Sequence, residues 1–150
     1  MRFLLVDRVL DWERDGAIRG IKCVTMSEDF LEYHFPGNPV MPGALLLEAM
    51  VQLGGWSEAV GSDFRRWFLL DRVRRCGFYG VALPGDTVEI EVSRLEDPGA
   101  SRRAFRGIGT VAGSRRVAAE FEGEAVDLGE LEDPEAQRRA FARLTRGGGS

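Results

Sequence analysis

Hydrophobic and polar positions along the chain predict a group of strands, one buried helix and a second group of strands. Residues 2–13 and 17–25 carry the apolar positions of two paired strands, and Asp15 and Gly16 mark the turn between them. The polar residues before Phe30 indicate the start of a short helix. The chain therefore begins with a predicted hairpin.

Residues 44–60, ALLLEAMVQLGGWSEAV, are apolar on nearly every helical face, which is typical of a helix surrounded by protein. Pro42 suits the first turn, where its missing N–H costs nothing. Gly54 and Gly55 weaken the helix but let a neighbour approach closely. The preceding segment 34–43, HFPGNPVMPG, holds three prolines and two glycines, which predicts a tightly turned loop.

The second half of the chain predicts strands separated by Pro/Gly turns. These strands are residues 67–79, 87–95, 102–111 and 116–126. A short helix is predicted at 133–144, with Asp133 as N-cap and Pro134 in the first turn, before a flexible GGGS tail. We therefore expect an α+β domain at residues 1–126 and a C-terminal extension at 127–150. Periodicity alone leaves a sheet wrapped around the helix as one option among several.

Composition narrows the class of protein. A chain of 150 residues fits one domain that buries roughly 68–70% of its unfolded surface. It contains no apolar run of 18 residues, so no membrane span is expected, and Met1–Val6 is too short and too soon followed by charge for a signal peptide. We therefore predict a cytoplasmic protein. The net charge of −4 argues against a general nucleic-acid binder.

The cysteines and the single histidine predict neither a disulfide framework nor a metal site. Cys23 and Cys76 lie far apart and form no CxxC pair. A zinc site needs more ligands than these residues supply together with one histidine. We expect both thiols to be reduced and packed.

Glu48 lies in the middle of the apolar helix, where an ionised carboxylate must be paired, protonated or placed at a cavity. Gln52, one turn later, can hydrogen-bond it. A purely structural hydrogen bond, or a polar stripe at an oligomer edge, would explain Glu48 equally well. Position alone does not decide between these interpretations.

His34 opens the Pro/Gly loop, and Gly43 closes it at the start of the helix. A lone histidine is more often a surface or packing residue, but rigid loops commonly hold catalytic groups. Free N–H groups at a helix N-terminus stabilise negative charge, and a glycine there lets a carbonyl approach the backbone. A base, an acid and an oxyanion donor in one segment are the parts needed for proton abstraction beside a carbonyl with loss of a β-hydroxyl.

The run HFPGNPVMPGALLLEAMVQLGG closely resembles the active-site segment of the FabZ family of 3-hydroxyacyl-acyl-carrier-protein dehydratases. The resemblance continues in RFLLVDRV and VTMSEDFLEYHFPG upstream and in LPGDTVEIEV downstream, and so covers most of residues 1–126. It implies the hotdog fold, a curved antiparallel sheet wrapped around one long central helix. It also implies a homodimer, in some members assembled as a trimer of dimers.

The resemblance implies dehydration of a (3R)-hydroxyacyl-acyl-carrier protein to the trans-2-enoyl product, in fatty-acid or related acyl-chain biosynthesis. His34 would take the proton from C2, and Glu48 of the opposite subunit would help the C3 hydroxyl leave as water. The Gly43 N–H would bind the thioester oxygen. Glutamate at position 48, where the sister FabA family has aspartate, implies dehydration without isomerisation of the double bond.

The same resemblance assigns supporting roles. The Val40 carbonyl would fix the tautomer of His34, Gln52 would orient Glu48, and Phe35 would contact the substrate. The acyl chain would arrive on the phosphopantetheine arm of an acyl carrier protein, with no metal and no bound cofactor.

The segment CGFYGVALPGD departs from the family pattern, because an Arg and a Pro are replaced around Tyr79 and Gly80. This departure and the extra terminal helix suggest a specialised pathway, such as lipid or polyene assembly. The carrier could instead dock on arginines near the third strand, although a solvated face explains them equally well. These are Arg65, Arg66, Arg72, Arg74 and Arg75.

Two alternatives remain open from the sequence. One is a hotdog thioesterase, which activates water with a helix carboxylate and does not need the histidine. The other is a non-catalytic hotdog subunit that binds an acyl carrier or scaffolds a partner.

Overall fold

A computed structural model describes residues 4–32 and 34–146 of the chain. The predicted GGGS tail and the first residues of the first predicted strand lie outside these ranges. In chain order the elements are β1 (Arg8–Trp12), β2 (Ala17–Cys23), a 3-10 helix (Asp29–Glu32), α1 (Gly43–Gly61), β3 (Arg66–Phe78), β4 (Thr87–Arg94), β5 (Arg102–Val111), β6 (Ser114–Asp127), a 3-10 turn (Leu128–Glu130) and α2 (Pro134–Leu144).

The six strands form one sheet in the order β1-β2-β4-β5-β6-β3, and all neighbouring strands are antiparallel. Helix α1 contacts β2, β3, β4, β5 and β6, so the sheet lies across most of one side of the helix. The predicted α+β arrangement of one long helix and an antiparallel sheet is confirmed.

The first strand is shorter than predicted, because it begins only at Arg8. The residues just before it extend past α1, and the N–H of Leu5 donates to the Gln52 side chain 2.9 Å away. This N–H is satisfied by a helix side chain instead of a neighbouring strand. Leu5 and Val6 of this segment are buried, whereas Leu4 is exposed.

The paired glycines of α1 let two aromatic rings pack directly on the helix backbone. A Cβ added at Gly55 would lie 2.2 Å from the indole of Trp67, and one added at Gly54 would lie 3.4 Å from the ring of Phe105. The close approach predicted from the sequence is thus made by β3 and β5. It brings Trp67 beside Trp56 of α1, with ring centroids 4.9 Å apart.

Helix α1 also buries a charge that the sequence pattern did not single out. Glu58 is 2% exposed, and its carboxylate accepts hydrogen bonds from Arg66 Nε and Arg103 Nε, both at 3.0 Å. A buried carboxylate is tolerated when it is paired and hydrogen-bonded in this way. The C-terminal half of α1 is therefore fixed to β3 and β5 by ion pairs as well as by apolar contacts.

Strand β3 lies at the edge of the sheet and pairs only with β6 in the described chain. It is 13 residues long and mostly exposed, and its exposed positions carry both charged and apolar side chains. The exposed large apolar residues of β3 and the loop that follows are Leu69, Leu70, Val73, Phe78, Tyr79, Val81 and Leu83. The unpaired backbone N–H and C=O groups of a long edge strand favour pairing with another chain.

Helix α2 packs against the C-terminal half of α1. Its Asp133 N-cap accepts a hydrogen bond from the Glu135 N–H, and Pro134 occupies the first turn, as predicted. Phe141 is buried against Trp12, Trp56 and Phe64, with ring centroids 5.0–5.9 Å apart. The extension is therefore part of the packed core.

Candidate active site

The imidazole of His34 is held by the loop that it opens. Its Nδ1 lies 3.0 Å from the carbonyl oxygen of Val40, and the Val40 N–H donates to the His34 carbonyl at 2.8 Å. A carbonyl oxygen can only accept, so in the neutral ring this contact places the proton on Nδ1. Nε2 is then left with a lone pair that can take a proton.

The loop between His34 and Val40 is closed by its own backbone. Phe35 and Asn38 exchange N–H···O hydrogen bonds of 2.9 and 3.0 Å, and Gly37 adopts a positive φ of 75° that favours glycine. The Phe35 ring is about half exposed and stacks on His34, with centroids 4.0 Å apart. The tight turn predicted from the Pro/Gly content is confirmed, and it restricts the position of the imidazole.

Gly43 is the first residue of α1. Its N–H is one of the N-terminal groups that have no hydrogen-bond acceptor within the helix. A Cβ at this position would lie 2.6 Å from the ring of Phe78, at the end of β3. The absence of a side chain therefore lets the end of the edge strand approach the helix start. An anionic oxygen placed here would be stabilised by the helix N-terminus.

Glu48 is partly buried and is held in a chain of hydrogen bonds that reaches the N-terminal segment. Gln52 Nε2 lies 3.4 Å from Glu48 Oε1, and Gln52 Oε1 accepts the 2.9 Å hydrogen bond from the Leu5 N–H. Because a backbone N–H can only donate, Leu5 fixes the orientation of the amide and turns its NH₂ group towards Glu48. The orienting role expected for Gln52 thus has a structural basis.

Glu48 lines a cavity of about 620 Å³, which is within the roughly 300–1,000 Å³ common for small-molecule sites. Gln52 and Trp56 line the same wall, since residues four apart share a helix face. The rest of the lining is mixed, with apolar side chains of the N-terminal segment, β3 and α2 and the polar side chains of Glu132, Gln137 and Arg143. A carboxyl group at the wall of a cavity is one of the placements expected from the sequence.

The described chain does not bring all the predicted site residues into one cavity. His34 and Gly43 are not among the residues that line the Glu48 cavity. Five residues along α1 correspond to a rotation of roughly 500°, so Gly43 and Glu48 face sides of the helix about 140° apart. One chain therefore offers a histidine with a helix N-terminus in one place and a carboxyl group with a cavity in another.

Most of the wall of the Glu48 cavity is not predicted by the sequence. Trp56 and Trp67 were placed only as helix and strand residues, and the face of α2 that completes the cavity was not anticipated. The glycine pair of α1 was the one available signal, because it predicted a close neighbour without identifying Trp67.

The arginines near β3 are partly engaged within the chain. Arg74 Nε donates to Glu122 at 3.0 Å, and Arg72 lies 3.8 Å from the same carboxylate. Arg66 is hydrogen-bonded to Glu58. Their charge is thus partly balanced, and a carrier-docking role for them stays a prediction.

Three further expectations from the sequence concern the thiols, a metal site and a membrane span. Both cysteines are free and partly buried, and burial raises the pKa of the Cys76 thiol. Among the described residues, no three His, Cys, Asp or Glu side chains form a group that could hold a metal ion. In residues 4–32 and 34–146, no helix is both long and apolar enough to span a membrane.

Known structures show the same architecture. A Streptococcus mutans protein, smu.793, bound to acetyl CoA, superimposes with a TM-score of 0.66 over 85% of this chain and 94% of its own, at 15% identity. A hypothetical thioesterase with coenzyme A from Streptococcus pneumoniae gives a TM-score of 0.64 over 80% of this chain and 85% of its own, also at 15% identity. The fold is the hotdog fold, as the resemblance implied.

Sequence comparison defines the family. The FabA-like domain profile matches residues 1–121. The 3-hydroxyacyl-[acyl-carrier-protein] dehydratase FabZ of Ruegeria sp. is 39% identical over 125 residues, which cover 79% of this chain and 77% of that enzyme. The FabZ of Caldicellulosiruptor saccharolyticus is 39% identical over 128 residues, which cover 83% of this chain and 81% of that enzyme. The chain belongs to the FabZ family.

Proposed function

We propose that the protein removes water from (3R)-hydroxyacyl thioesters carried on an acyl carrier protein and releases the trans-2-enoyl thioester. The observation that carries the proposal is the fixed tautomer of His34, whose Nδ1 contacts the Val40 carbonyl at 3.0 Å. The family supports it, since several FabZ relatives carry this activity in their names. The pathway is fatty-acid or related acyl-chain biosynthesis.

In the proposed reaction, His34 Nε2 takes the proton from C2, and the electron pair moves towards the thioester carbonyl. The Gly43 N–H and the N-terminus of α1 stabilise the negative charge that develops on that oxygen. The C2=C3 double bond then forms as the C3–O bond breaks, and Glu48 in its acid form gives its proton to the leaving hydroxyl. The products are the enoyl thioester and water, and the proton on His34 returns to Glu48 or to solvent.

The remaining site residues act through these three. Val40 keeps the Nε2 lone pair of His34 available, and Gln52 directs the carboxyl of Glu48. Phe35, stacked on the imidazole, contacts the substrate beside the base. The reaction combines proton transfers with the loss of a hydroxyl and has no redox step, so these side chains suffice without a metal or a bound cofactor, and the phosphopantetheine arm belongs to the substrate.

We further propose that each site is shared between two chains of a homodimer. Two observations support this arrangement: His34 does not line the cavity of Glu48 in its own chain, and the end of the unpaired β3 edge lies beside Gly43 at the start of α1. Pairing of two β3 edges would place a second chain next to His34 and Gly43. Assembly of such dimers into trimers, and location in the cytoplasm, remain predictions.

The test uses purified protein with (3R)-3-hydroxyacyl-carrier protein, with the enoyl product followed by mass spectrometry. Wild type should equilibrate the two species. The rate of enoyl formation by His34→Ala should be lower by a factor of about 100 or more, which is the usual contribution of a general base. Full activity of His34→Ala would overturn the assignment of the base.

The same assay separates the other interpretations of the fold. Release of free thiol without enoyl product would indicate a thioesterase. Absence of turnover, together with co-purification of a second hotdog chain, would indicate a non-catalytic subunit. Appearance of a cis-3-enoyl product would contradict the expectation, based on Glu48, that the double bond is not isomerised.

A further inference from the structure

The C-terminal helix α2 forms one wall of the cavity that contains Glu48. On this wall, Ala136, Gln137, Ala140, Arg143 and Leu144 line the cavity. These positions recur at helical spacing, so one face of α2 is directed towards the cavity. The FabA-like profile ends at residue 121, before α2 begins at Pro134.

The opposite wall extends along α1 from Glu48 through Gln52 to Trp56. At a rise of 1.5 Å per residue, Trp56 lies about 12 Å along the helix from Glu48. Trp67, which packs edge-on against Trp56, lines the cavity on the β3 side. The cavity therefore has a carboxyl group at one position and two indole rings farther along α1, while Glu132, Gln137 and Arg143 add polar groups on the other side.

Helix α2 is held firmly enough to act as a fixed wall. Phe141 is buried among Trp12, Trp56 and Phe64. The Arg138 guanidinium lies 4.6 Å from the centre of the Phe64 ring and donates to Asp63 Oδ1 at 3.1 Å. Aromatic packing, which includes the cavity residue Trp56, and a cation–π contact thus fix α2 beside the cavity.

Two of the five α2 residues that line the cavity, Ala136 and Ala140, have small side chains that leave space opposite α1. Ala136 and Ala140 lie one turn apart and are only partly buried. A larger side chain at either position would project into the volume between α2 and the Glu48–Trp56 row. Helix α2 therefore forms a wall of the cavity, and its two alanines leave the volume inside that wall unfilled.

We propose that α2 is a specificity-determining wall of the acyl-chain site, with Ala136 and Ala140 setting the length of acyl chain that the enzyme accepts. This inference rests on the proposed function, because that function brings the β-hydroxyl to Glu48. An acyl chain with its hydroxyl at Glu48 then extends along α1 towards Trp56 and Trp67, beneath α2. Its methylene groups then contact the two indole rings and the two alanines of α2, and such apolar contacts favour their transfer from water.

The test compares Ala140→Trp with the matched control Ala142→Trp. Ala142 lies on the exposed side of the same helix and does not line the cavity. The substrates are 3-hydroxybutanoyl and 3-hydroxydodecanoyl thioesters of the same carrier protein. Ala140→Trp should lower the kcat/KM ratio of the long to the short substrate by about tenfold or more, as expected when several methylenes lose their pocket. Ala142→Trp should leave that ratio unchanged.

Ala136→Trp repeats the test one turn earlier on the same face, and thermal unfolding of each variant shows whether it folds. Equal long-to-short ratios in wild type and in a folded cavity variant would overturn the role of α2. Binding is measured separately by calorimetry with butanoyl and dodecanoyl pantetheine amides, which cannot be dehydrated.

The binding measurement separates failure of this inference from failure of the proposed function. If wild type forms no enoyl product but Ala140→Trp selectively loses the dodecanoyl amide, the dehydratase proposal fails and the acyl wall stands. If wild type is active and both Ala136→Trp and Ala140→Trp bind the two amides as wild type does, the proposed role of α2 is wrong and the dehydratase proposal stands.

Discussion

The Nδ1 atom of His34 lies 3.0 Å from the carbonyl oxygen of Val40, and Val40 returns a 2.8 Å hydrogen bond to the His34 carbonyl. This reciprocal pair fixes both the backbone and the ring of the proposed base. Gln52 holds Glu48 separately, on a side of α1 about 140° away from Gly43. Since the reaction needs both groups on one substrate, the pairing of two chains becomes the central question.

A hybrid dimer tests whether the site is shared. One chain carries His34→Ala and the other Glu48→Gln, each with a different affinity tag, and the doubly tagged dimer is isolated. A shared site predicts about half of the wild-type activity per dimer, because one of the two sites is intact and the other lacks both groups; each parent homodimer should lose about 100-fold or more. The measurement is enoyl formation at equal dimer concentration. A hybrid as inactive as its parents would place His34 and Glu48 of one chain in the same site.

The dependence of the dimer on the β3 edge is a second prediction. The variant Leu70→Lys/Val73→Lys places two charges on the exposed edge strand and should favour the monomer, because charged edges oppose strand pairing. Light scattering should then give the 16.6 kDa mass of one chain, whereas wild type should give twice that mass, or six times it if three dimers assemble. Dehydratase activity should be lost together with the dimer.

The matched control for the edge is Leu131→Lys, which changes an exposed leucine after β6 without touching β3. It should keep both the mass and the activity of wild type. A folded edge variant that remains dimeric would show that the two chains meet elsewhere.

Close packing at the helix start gives a third prediction. Gly43→Ala would place a Cβ 2.6 Å from the Phe78 ring, so the ring or the first turn of α1 must move. Displacing an oxyanion donor by an ångström can cost about 100-fold in rate. We therefore expect kcat to fall by about that factor while the protein remains folded.

The second substitution Phe78→Ala removes the obstructing ring and should restore most of the activity of Gly43→Ala. The single variant Phe78→Ala serves as the control for any effect of the ring itself. If Gly43→Ala is fully active, or if its loss is the same with and without the Phe78 ring, the contact is not what constrains this position.

Local patterns in the sequence predicted the elements well, and tertiary contacts explain most of what they missed. The apolar run at 44–60 gave helix α1 to within one residue at each end, and Asp133 capped α2 as expected. The first strand was predicted too long, because the Leu5 N–H is satisfied by Gln52, 47 residues away. No local pattern carries that contact.

The site was predictable in its parts but not in its enclosure. His34, Glu48 and Gly43 were identified because their residue types contrast with their surroundings and match a long family motif. The cavity depends on Trp67 packing at Gly55 and on α2 crossing Trp56, which are contacts between distant segments. Relative placement of such segments follows from packing and cannot be derived from periodicity alone.

The last prediction concerns how stability depends on pH through the ion pair between Arg94 and Asp97, which lies beside Glu58. Arg94 donates two hydrogen bonds to the Asp97 carboxylate, at 3.1 and 2.9 Å, and these hold the pKa of Asp97 below its usual value. The folded state therefore favours the ionised carboxylate more than the unfolded chain does. This contribution to stability is complete above the unfolded pKa, about 3.9, and is lost as the pH falls through the lower folded pKa.

Asp97→Asn should thus lower the free energy of unfolding near neutral pH by about 1 kcal/mol or less, because the pair is partly exposed and screened by solvent. The difference from wild type should shrink as the pH falls below about 4. Urea unfolding at several pH values measures it, with Glu96→Gln, the exposed neighbour, as the control. A difference that stays constant or grows towards low pH would contradict the role of the Arg94–Asp97 pair, because protonation of Asp97 must abolish what the substitution removes.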